Sequence, residues 1–352
     1  MSHIELVLWA GLAIGLIFGA CGQATGFCLH RGLVQRWSAR GGYKLQSFAL
    51  ALAVALLGTQ LLAVMGLVDL SKSLYLMPGY SWLLLPVGGL LFGYGMGMAN
   101  GCGARALVLL GSGNLRSLVV LLCLGIAAYM TLTGVLGPLR LKLSELTTVN
   151  PALLSVPDGW PRFLATVVAA GVLLLFALRR TSGDSDPSGV ASTTSRRADL
   201  VGGVIIGLLV VAGWFATGWI GNDDFDPLPV ISLTFVAPIG DVIQYAMLAT
   251  GMSLRFGIAV VAGVIVGSLV LSLLRREYRL QGFETPQQML RYIVGGSFMG
   301  VGGALALGCS IGQGLTGLST LSFSSMLSAL AIVLGARLAW KQYHSHNAHH
   351  AA

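Results

Sequence analysis

Residues 308–317 read Gly-Cys-Ser-Ile-Gly-Gln-Gly-Leu-Thr-Gly and interrupt an otherwise apolar part of the chain. A similar break at residues 101–105, Gly-Cys-Gly-Ala-Arg, is followed by Gly-Ser-Gly-Asn at 111–114, too soon for another membrane crossing. Irregular backbone at membrane depth persists only where protein or a cavity satisfies its polar groups. The two breaks therefore predict a membrane protein in which broken helices line an internal pathway.

The composition of the chain supports a membrane protein. Of its 352 residues, 55% are hydrophobic and 10% are charged, whereas soluble domains carry about 25% charged residues. The mean hydropathy is +0.81. These values argue against a water-soluble enzyme, a disordered chain and a nucleic-acid binder, and they make membrane lipid the expected surroundings. The net charge of +8 is typical of cytoplasmic loops and indicates no nucleic-acid partner.

Hydropathy predicts an all-α integral membrane protein with about nine transmembrane helices and additional short re-entrant helices. The apolar stretches lie near residues 4–21, 46–68, 81–100, 115–137, 162–179, 200–220, 257–274, 291–308 and 323–340. The first stretch contains Glu5 and lacks a cationic start, so we interpret it as a span and not as a cleaved signal peptide.

The distribution of basic residues predicts the orientation. Three loops are basic, and they contain Arg31, Arg36, Arg40 and Lys44; Arg179, Arg180, Arg196 and Arg197; and Arg275, Arg276, Arg279 and Arg291. The loop with Asp223, Asp224 and Asp226 is acidic. Because basic loops stay in the cytoplasm, the N-terminus is expected outside and the C-terminus inside. Residues 232–253, which contain Pro238 and Gly240, must then form a re-entrant segment on the outer side.

Two halves of the chain resemble each other. Residues 89–95 match 296–302 and residues 99–102 match 306–309 at one offset, and residues 27–32 match 235–240 at nearly the same offset. An odd number of spans in the first half would invert the second half. We therefore predict an inverted-topology repeat. Its parts are a first membrane repeat at 1–180, a cytoplasmic linker at 181–199, a second, inverted repeat at 200–340 and a cytoplasmic tail at 341–352.

Three of the five cysteines lie in glycine-containing breaks with polar neighbours: Cys28, Cys102 and Cys309. A neutral thiol donates a weak hydrogen bond and has a polarizable sulfur, which suits passage of a sulfur-containing anion. Thiolate chemistry through a persulfide remains an alternative. Cys21 and Cys123 are interpreted as small hydrophobic residues.

Further pathway candidates neighbour these cysteines. Gly101 and Gly308 precede Cys102 and Cys309, and a helix restarting there would direct unpaired N–H groups at an anion. The polar candidates are Ser310, Gln313, Arg105 and His30. Their alternatives are interhelical hydrogen bonding for Ser310 and Gln313 and a position at the cytoplasmic interface for Arg105. Asp241 is expected to be a helix cap, with a proton or cation site as its alternative.

The sequence predicts no enzymatic centre, metal site or cofactor. It contains no Walker A, dinucleotide-binding or HExxH motif, and only His3 and His30 lie outside the histidine-rich tail. The tail could bind metal, but a disordered end is the favoured interpretation.

Several segments resemble those of the YeeE/YedE sulfur-transport family. They are residues 26–33, residues 101–103 with 113–118, residues 232–238 and residues 308–319. The resemblance implies an hourglass-shaped bundle in the bacterial inner membrane that imports thiosulfate past Cys28, Cys102 and Cys309. It also implies a separate TusA-like soluble sulfur carrier in the cytoplasm. His30 and Arg31 stand where family members often have small residues. The alternatives are a selenium or other sulfur substrate, a membrane sulfurtransferase and an assembly subunit without a pathway.

Overall fold

The computed structural model describes residues 2–38, 43–77, 79–149, 160–179, 190–222 and 228–349, and this part of the chain is almost entirely helical. Its α-helices are α1 His3–Thr25, α2 Leu29–Trp37, α3 Lys44–Val64, α4 Leu84–Met98, α5 Gly103–Gly111, α6 Leu115–Leu132, α7 Gly137–Thr147, α8 Trp160–Leu178, α9 Val190–Phe215, α10 Val236–Leu248, α11 Phe256–Leu274, α12 Pro286–Leu305 and α13 Phe323–His349.

Short elements complete the described chain. Two 3₁₀ turns lie at Leu70–Lys72 and Leu74–Leu76, and two π-helical turns at Ala216–Ile220 and Gly312–Gly317. The strands β1, Tyr80–Ser81, and β2, Thr148–Val149, form a small antiparallel pair. Several sequence predictions lie outside the described residues: the linker up to residue 189, Arg40, Asp223, Asp224, Asp226 and His350.

The prediction of an all-α membrane protein is confirmed, whereas the number of nine spans is not. Each of the nine apolar stretches overlaps a helix, but within the described residues seven helices are long and apolar enough to cross a membrane. The two exceptions are α4 and α12. Helix α4 has 15 residues, about 22 Å at 1.5 Å per residue, which is less than the ~30 Å hydrocarbon layer. Helix α12 begins with a polar turn that contains Gln287 and Gln288.

Two helices differ from the sequence expectation. Helix α7 was not predicted, because its alternation of leucines with Arg140, Lys142 and Glu145 gives no apolar run. Helix α9 begins at Val190, inside the stretch expected to be a linker. Asp199 in this helix forms an ion pair with Lys44, and this contact anchors the early part of α9 against α3.

Long helices from the two halves of the chain pack in reciprocal pairs. Helix α1 packs on α11 and α3 on α9, while α4 packs on α13, α6 on α12, and α4 on α12. Small residues permit this close approach. A β-carbon at Gly93 of α4 would lie 2.8 Å from the backbone nitrogen of Ala336 in α13. A β-carbon at Gly300 of α12 would lie 2.9 Å from that of Ala128 in α6.

Most of the basic loops meet at one end of the bundle, which we call the basic end. Lys44 Nζ lies 2.5 Å from an Asp199 oxygen, and Arg116 pairs with Glu284 at 2.7 Å. The Arg291 guanidinium lies 3.7 Å above the Tyr343 ring. Gln46 of α3 donates to the Arg179 carbonyl at 2.8 Å, and Gln23 of α1 donates to Glu277 at 3.4 Å, so residues of the basic loops lie at the same end of the bundle.

Candidate functional site

Two of the predicted pathway cysteines each precede a nine-residue helix. Cys28 is the N-cap residue of α2 and Cys102 that of α5, and neither side chain forms a capping hydrogen bond. Both cysteines have extended backbone and 2% exposure. The first-turn N–H groups of such helices lack intrahelical partners and carry the positive end of the helix dipole. A thiol therefore lies at the weakly electropositive N-terminal end of a helix both at Cys28 and at Cys102.

The structure brings these two thiols together. The thiols of Cys28 and Cys102 lie next to each other. Cys102 also contacts the hydroxyl of Ser310, which is 1% exposed. The contact joins a residue of each predicted repeat to the same thiol. Ser310 therefore lies where the sequence predicted a pathway residue.

Cys309 lies directly beyond Ser310 and is fully buried. Its thiol accepts a hydrogen bond from the N–H of Gly312 at 3.3 Å. Its carbonyl accepts one from the N–H of Gln313 at 2.7 Å, which starts the helical turn that continues to Gly317. Cys309 and Cys102 are close enough to interact electrostatically. All three predicted cysteines thus form one cluster, which we call the cysteine cluster.

Two hydroxyl groups extend the cysteine cluster away from the basic end. The Thr234 hydroxyl contacts both the Cys309 thiol and the Tyr75 hydroxyl. A β-carbon at Gly312 would lie 2.7 Å from Thr234 Oγ1 and 3.4 Å from the Tyr75 oxygen, so a larger residue would crowd both. Thr234 lies in the predicted re-entrant region but was not identified as a pathway residue. No sequence signal pointed to Tyr75, which lies in the 3₁₀ turn before β1.

A cavity of about 600 Å³ begins at Tyr75. Its polar lining includes Arg162, Asp69 and Ser322. The Ser71 hydroxyl and N–H donate hydrogen bonds to Asp69 and lower the pKa of that carboxyl. The cavity therefore has both polar and apolar lining and lies on the Tyr75 side of the cysteine cluster, away from Cys28.

The predicted residues Arg105 and His30 lie near Cys28, toward the basic end. Arg105 is partly buried in the first turn of α5 and interacts electrostatically with Cys28. His30 is 4% exposed and lies close to both Cys28 and Arg291. Both residues therefore lie on the side of the cysteine cluster that faces the basic end.

The remaining predicted residues shape the breaks. Gln313 Nε2 donates to the Ala306 carbonyl at 2.6 Å, so this amide closes the end of α12. A β-carbon at Gly308 would lie 3.2 Å from Gln313 Cγ, and one at Gly101 would lie 3.1 Å from Arg105 Cγ. The two glycines therefore make room for the polar side chains that follow them.

Three residues outside the cluster have structural contacts. The Cys21 thiol donates to the Gly202 carbonyl at 3.6 Å, and Cys123 is half-buried in α6. Asp241 is not a helix cap, contrary to expectation. It lies inside α10 and accepts a hydrogen bond from the Tyr129 hydroxyl. The described residues contain no group of three or more His, Cys, Asp or Glu side chains that could hold a metal ion.

The chain is similar to proteins of sulfur transport. A family model described as "Sulphur transport" matches residues 24–338. The thiosulfate transporter TsuA of Escherichia coli (strain K12) is 24% identical over 351 residues, covering 94% of this chain and 92% of the relative. The thiosulfate transporter TsuA of Spirochaeta thermophila is 27% identical over 348 residues, covering 94% of this chain and 97% of the relative. The family match confirms the YeeE/YedE resemblance, and the chain belongs to the sulphur transport family.

Proposed function

We propose that this protein is a transporter, not an enzyme, and that it imports thiosulfate across the bacterial inner membrane. Thiosulfate is proposed as the substrate because two relatives that align with this chain over nearly their whole length are named thiosulfate transporters. The observation that carries the mechanism is the arrangement of polar side chains: Tyr75, Thr234 and Cys309 lie in contact, as do Ser310, Cys102 and Cys28. The two groups are close enough to interact electrostatically, and so are Cys28 and Arg105.

The order of these contacts defines the proposed path. Thiosulfate enters the cavity, passes the hydroxyls of Tyr75 and Thr234, and then reaches Cys309. Cys102 and Ser310 follow, then Cys28, which faces Arg105 and His30. Each thiol and hydroxyl donates one hydrogen bond to the dianion. Because thiols are weak donors, no single position holds the anion long, as a conducting path requires.

The helix ends support this role for the thiols. The first turns of α2 and α5 direct N–H groups toward Cys28 and Cys102 and favour an anion without a fixed cation. Gly101 and Gly308 keep the backbone compact at the two breaks, and Gln313 fixes the end of α12 beside Cys309.

We further propose that the basic end faces the cytoplasm, with the N-terminus outside, because basic segments are retained on that side. The cavity then opens to the periplasm. The reciprocal packing of α1 on α11 and α3 on α9 supports the predicted inverted repeat, since a pseudo-two-fold axis would exchange these pairs. A TusA-like carrier in the cytoplasm would meet the released anion at the basic end.

The test is uptake into proteoliposomes of thiosulfate that carries a distinct label on each of its two sulfur atoms. Import of the intact anion requires both labels to enter in equal amounts. Arrival of the outer sulfur alone, bound to the protein, would identify a sulfurtransferase instead. Entry of neither label into vesicles with folded protein would reject thiosulfate and direct the search to selenium and other sulfur anions.

A further inference from the structure

Two guanidinium groups border the same glycine at the inner side of Cys28. Gly26 ends α1 in the left-handed conformation, with φ of 62°. A β-carbon at Gly26 would lie 2.7 Å from Arg31 Nη1 and 3.6 Å from Arg105 Nη1. Arg31 comes from the first turn of α2 and Arg105 from the first turn of α5. The glycine thus leaves room for two cations from two helices.

No acidic group neutralises this pair within the part of the chain that the structure describes. The ion pairs among those residues are Lys44–Asp199 and Arg116–Glu284. Neither Arg31 nor Arg105 forms a side-chain hydrogen bond or an ion pair with any described residue, and the two interact electrostatically. Because Arg31 is exposed, water screens part of the repulsion between the two charges, and an anion between or beside them would relieve the rest.

A second, independent group at this place also lacks a partner. His30, adjacent to Arg31, is 4% exposed, and its Nδ1 atom has no hydrogen-bond partner among the described residues. A buried polar atom without a partner is rare in folded proteins and calls for a ligand or another explanation. The ring is close to Cys28, and the Cys28 thiol lies near the backbone N–H of Arg31 at the start of α2.

We propose that Arg31, Arg105, His30 and the first turn of α2 form an anion-binding site between Cys28 and the cytoplasm, which holds a sulfur oxyanion before its release. This inference rests on the proposed function and extends it. Guanidinium groups bind oxyanions through paired N–H donors. A dianion would relieve the repulsion of both arginines, so thiosulfate, sulfite and sulfate share the chemistry that the site recognises. The three thiols then transfer the anion, and this site draws it away from Cys28.

The site can be tested without measuring transport. The protein is treated with two thiol reagents of similar size. One is the anionic sulfonatoethyl methanethiosulfonate and the other is the cationic trimethylammonioethyl methanethiosulfonate. The rate at Cys28 is followed by peptide mass spectrometry on inside-out vesicles. The anionic reagent should react about tenfold faster or more, because a cationic site concentrates anions. The double variant Arg31→Gln/Arg105→Gln should lose this preference.

Arg36→Gln/Arg275→Gln is the matched control, since it also removes two positive charges, from exposed residues in the last turn of α2 and at the end of α11. It should leave the anion preference unchanged. Thiosulfate at constant ionic strength should slow the reaction in the unmodified protein but not in the double variant, and His30→Gln should weaken this protection. An equal preference in the double variant and the unmodified protein would overturn the site. So would failure of both reagents to reach Cys28.

The experiments distinguish the anion-binding site from the import of thiosulfate. If the unmodified protein shows anion preference at Cys28 but imports no thiosulfate, the site stands and the substrate is another oxyanion. If thiosulfate is imported and the arginine variants keep the preference, the function stands and the site is wrong.

Discussion

The thiol of Cys28 lies beside the thiol of Cys102, and each cysteine immediately precedes a nine-residue helix. The two helices α2 and α5 therefore converge at their N-terminal ends. A thiol pair at such a place can pass an anion from one weak donor to the next. Proximity of the two sulfurs is thus the geometric core of the proposed path.

This proximity predicts sensitivity to a trivalent arsenical. Phenylarsine oxide bridges two neighbouring thiols, and by occupying both sulfurs of the pair it should stop thiosulfate uptake in proteoliposomes. A dithiol such as dithiothreitol should restore uptake, because it competes for the arsenic.

Single replacements provide the control for the arsenical. Cys102→Ser removes the thiol that lies between Cys28 and Cys309 and should be resistant to the inhibitor in whatever uptake it retains, whereas Cys123→Ser should remain sensitive. Inhibition that persists in Cys102→Ser would show that the arsenical acts outside the cysteine cluster.

The position of the Tyr75 and Thr234 hydroxyls between the cavity and Cys309 predicts that both bind the anion during uptake. Tyr75→Phe and Thr234→Val each remove a donor at the point where the anion leaves the cavity for Cys309. One lost hydrogen bond of about 1–1.5 kcal/mol corresponds to roughly a tenfold lower kcat/KM for uptake. The measurement is the concentration dependence of initial uptake rates.

Tyr80→Phe is the matched control for Tyr75→Phe. Tyr80 also lines the cavity, but its ring packs against Phe323 with centroids 6.1 Å apart, away from Cys309. This variant should transport as the unmodified protein does. Equal uptake by Tyr75→Phe and Tyr80→Phe would remove Tyr75 from the path.

The cysteine cluster could be predicted from the sequence because its signal is local. A cysteine close to glycine and polar residues in an apolar run indicates a helix break near that residue, and the structure places helix starts directly after Cys28 and Cys102. The family resemblance was equally readable, since the motif near Cys309 is specific. Tyr75 could not be predicted, because it reaches Thr234 and Cys309 only through packing of a loop from another part of the chain.

The number of spans was harder to predict for a physical reason. Hydropathy detects apolar runs, but it does not reveal where a helix within a run ends. Helix α4 stops at Met98 because Asn100, at φ of 57°, turns the chain toward Cys102. Pro238 shows that a residue which often ends a helix can also lie within one. It lies in the first turn of α10, where proline lacks only an N–H that would be unpaired in any case.

Because α4 packs closely on α13, a methyl group at Gly93 is expected to destabilise the fold. Its β-carbon would meet the backbone of Ile332 and Ala336, which cannot rotate away. Gly93→Ala should therefore lower the free energy of unfolding by about 1–3 kcal/mol, the usual cost of overpacking. Thermal unfolding in detergent measures the effect.

Gly171→Ala in α8 is the comparison, because a β-carbon there meets nothing within 4 Å. Alanine has the higher helix propensity, by about 1 kcal/mol, so this variant should be neutral or more stable. Equal midpoints for the two variants would show that the α4–α13 contact is looser than described.

The ion pair between Lys44 and Asp199 predicts that replacements of these two residues have non-additive effects on stability. The two side chains are only 15% and 6% exposed, so removing one leaves a charge poorly solvated. Lys44→Met should destabilise the protein by about 3–5 kcal/mol, and adding Asp199→Leu should recover most of the loss. Unfolding midpoints of the single and double variants give the coupling. Additive losses would contradict a direct pair.

The proposed path depends on a thiol at the middle of the cysteine cluster, and replacing Cys102 removes that thiol. Uptake of doubly labelled thiosulfate is compared between Cys102→Ala and Cys123→Ala, with folding of both verified by size-exclusion chromatography and thermal unfolding. We expect Cys102→Ala to abolish entry of both labels, Cys123→Ala to preserve it, and Cys102→Ser to retain a part through its hydroxyl donor. Normal uptake by folded Cys102→Ala would contradict the cysteine path.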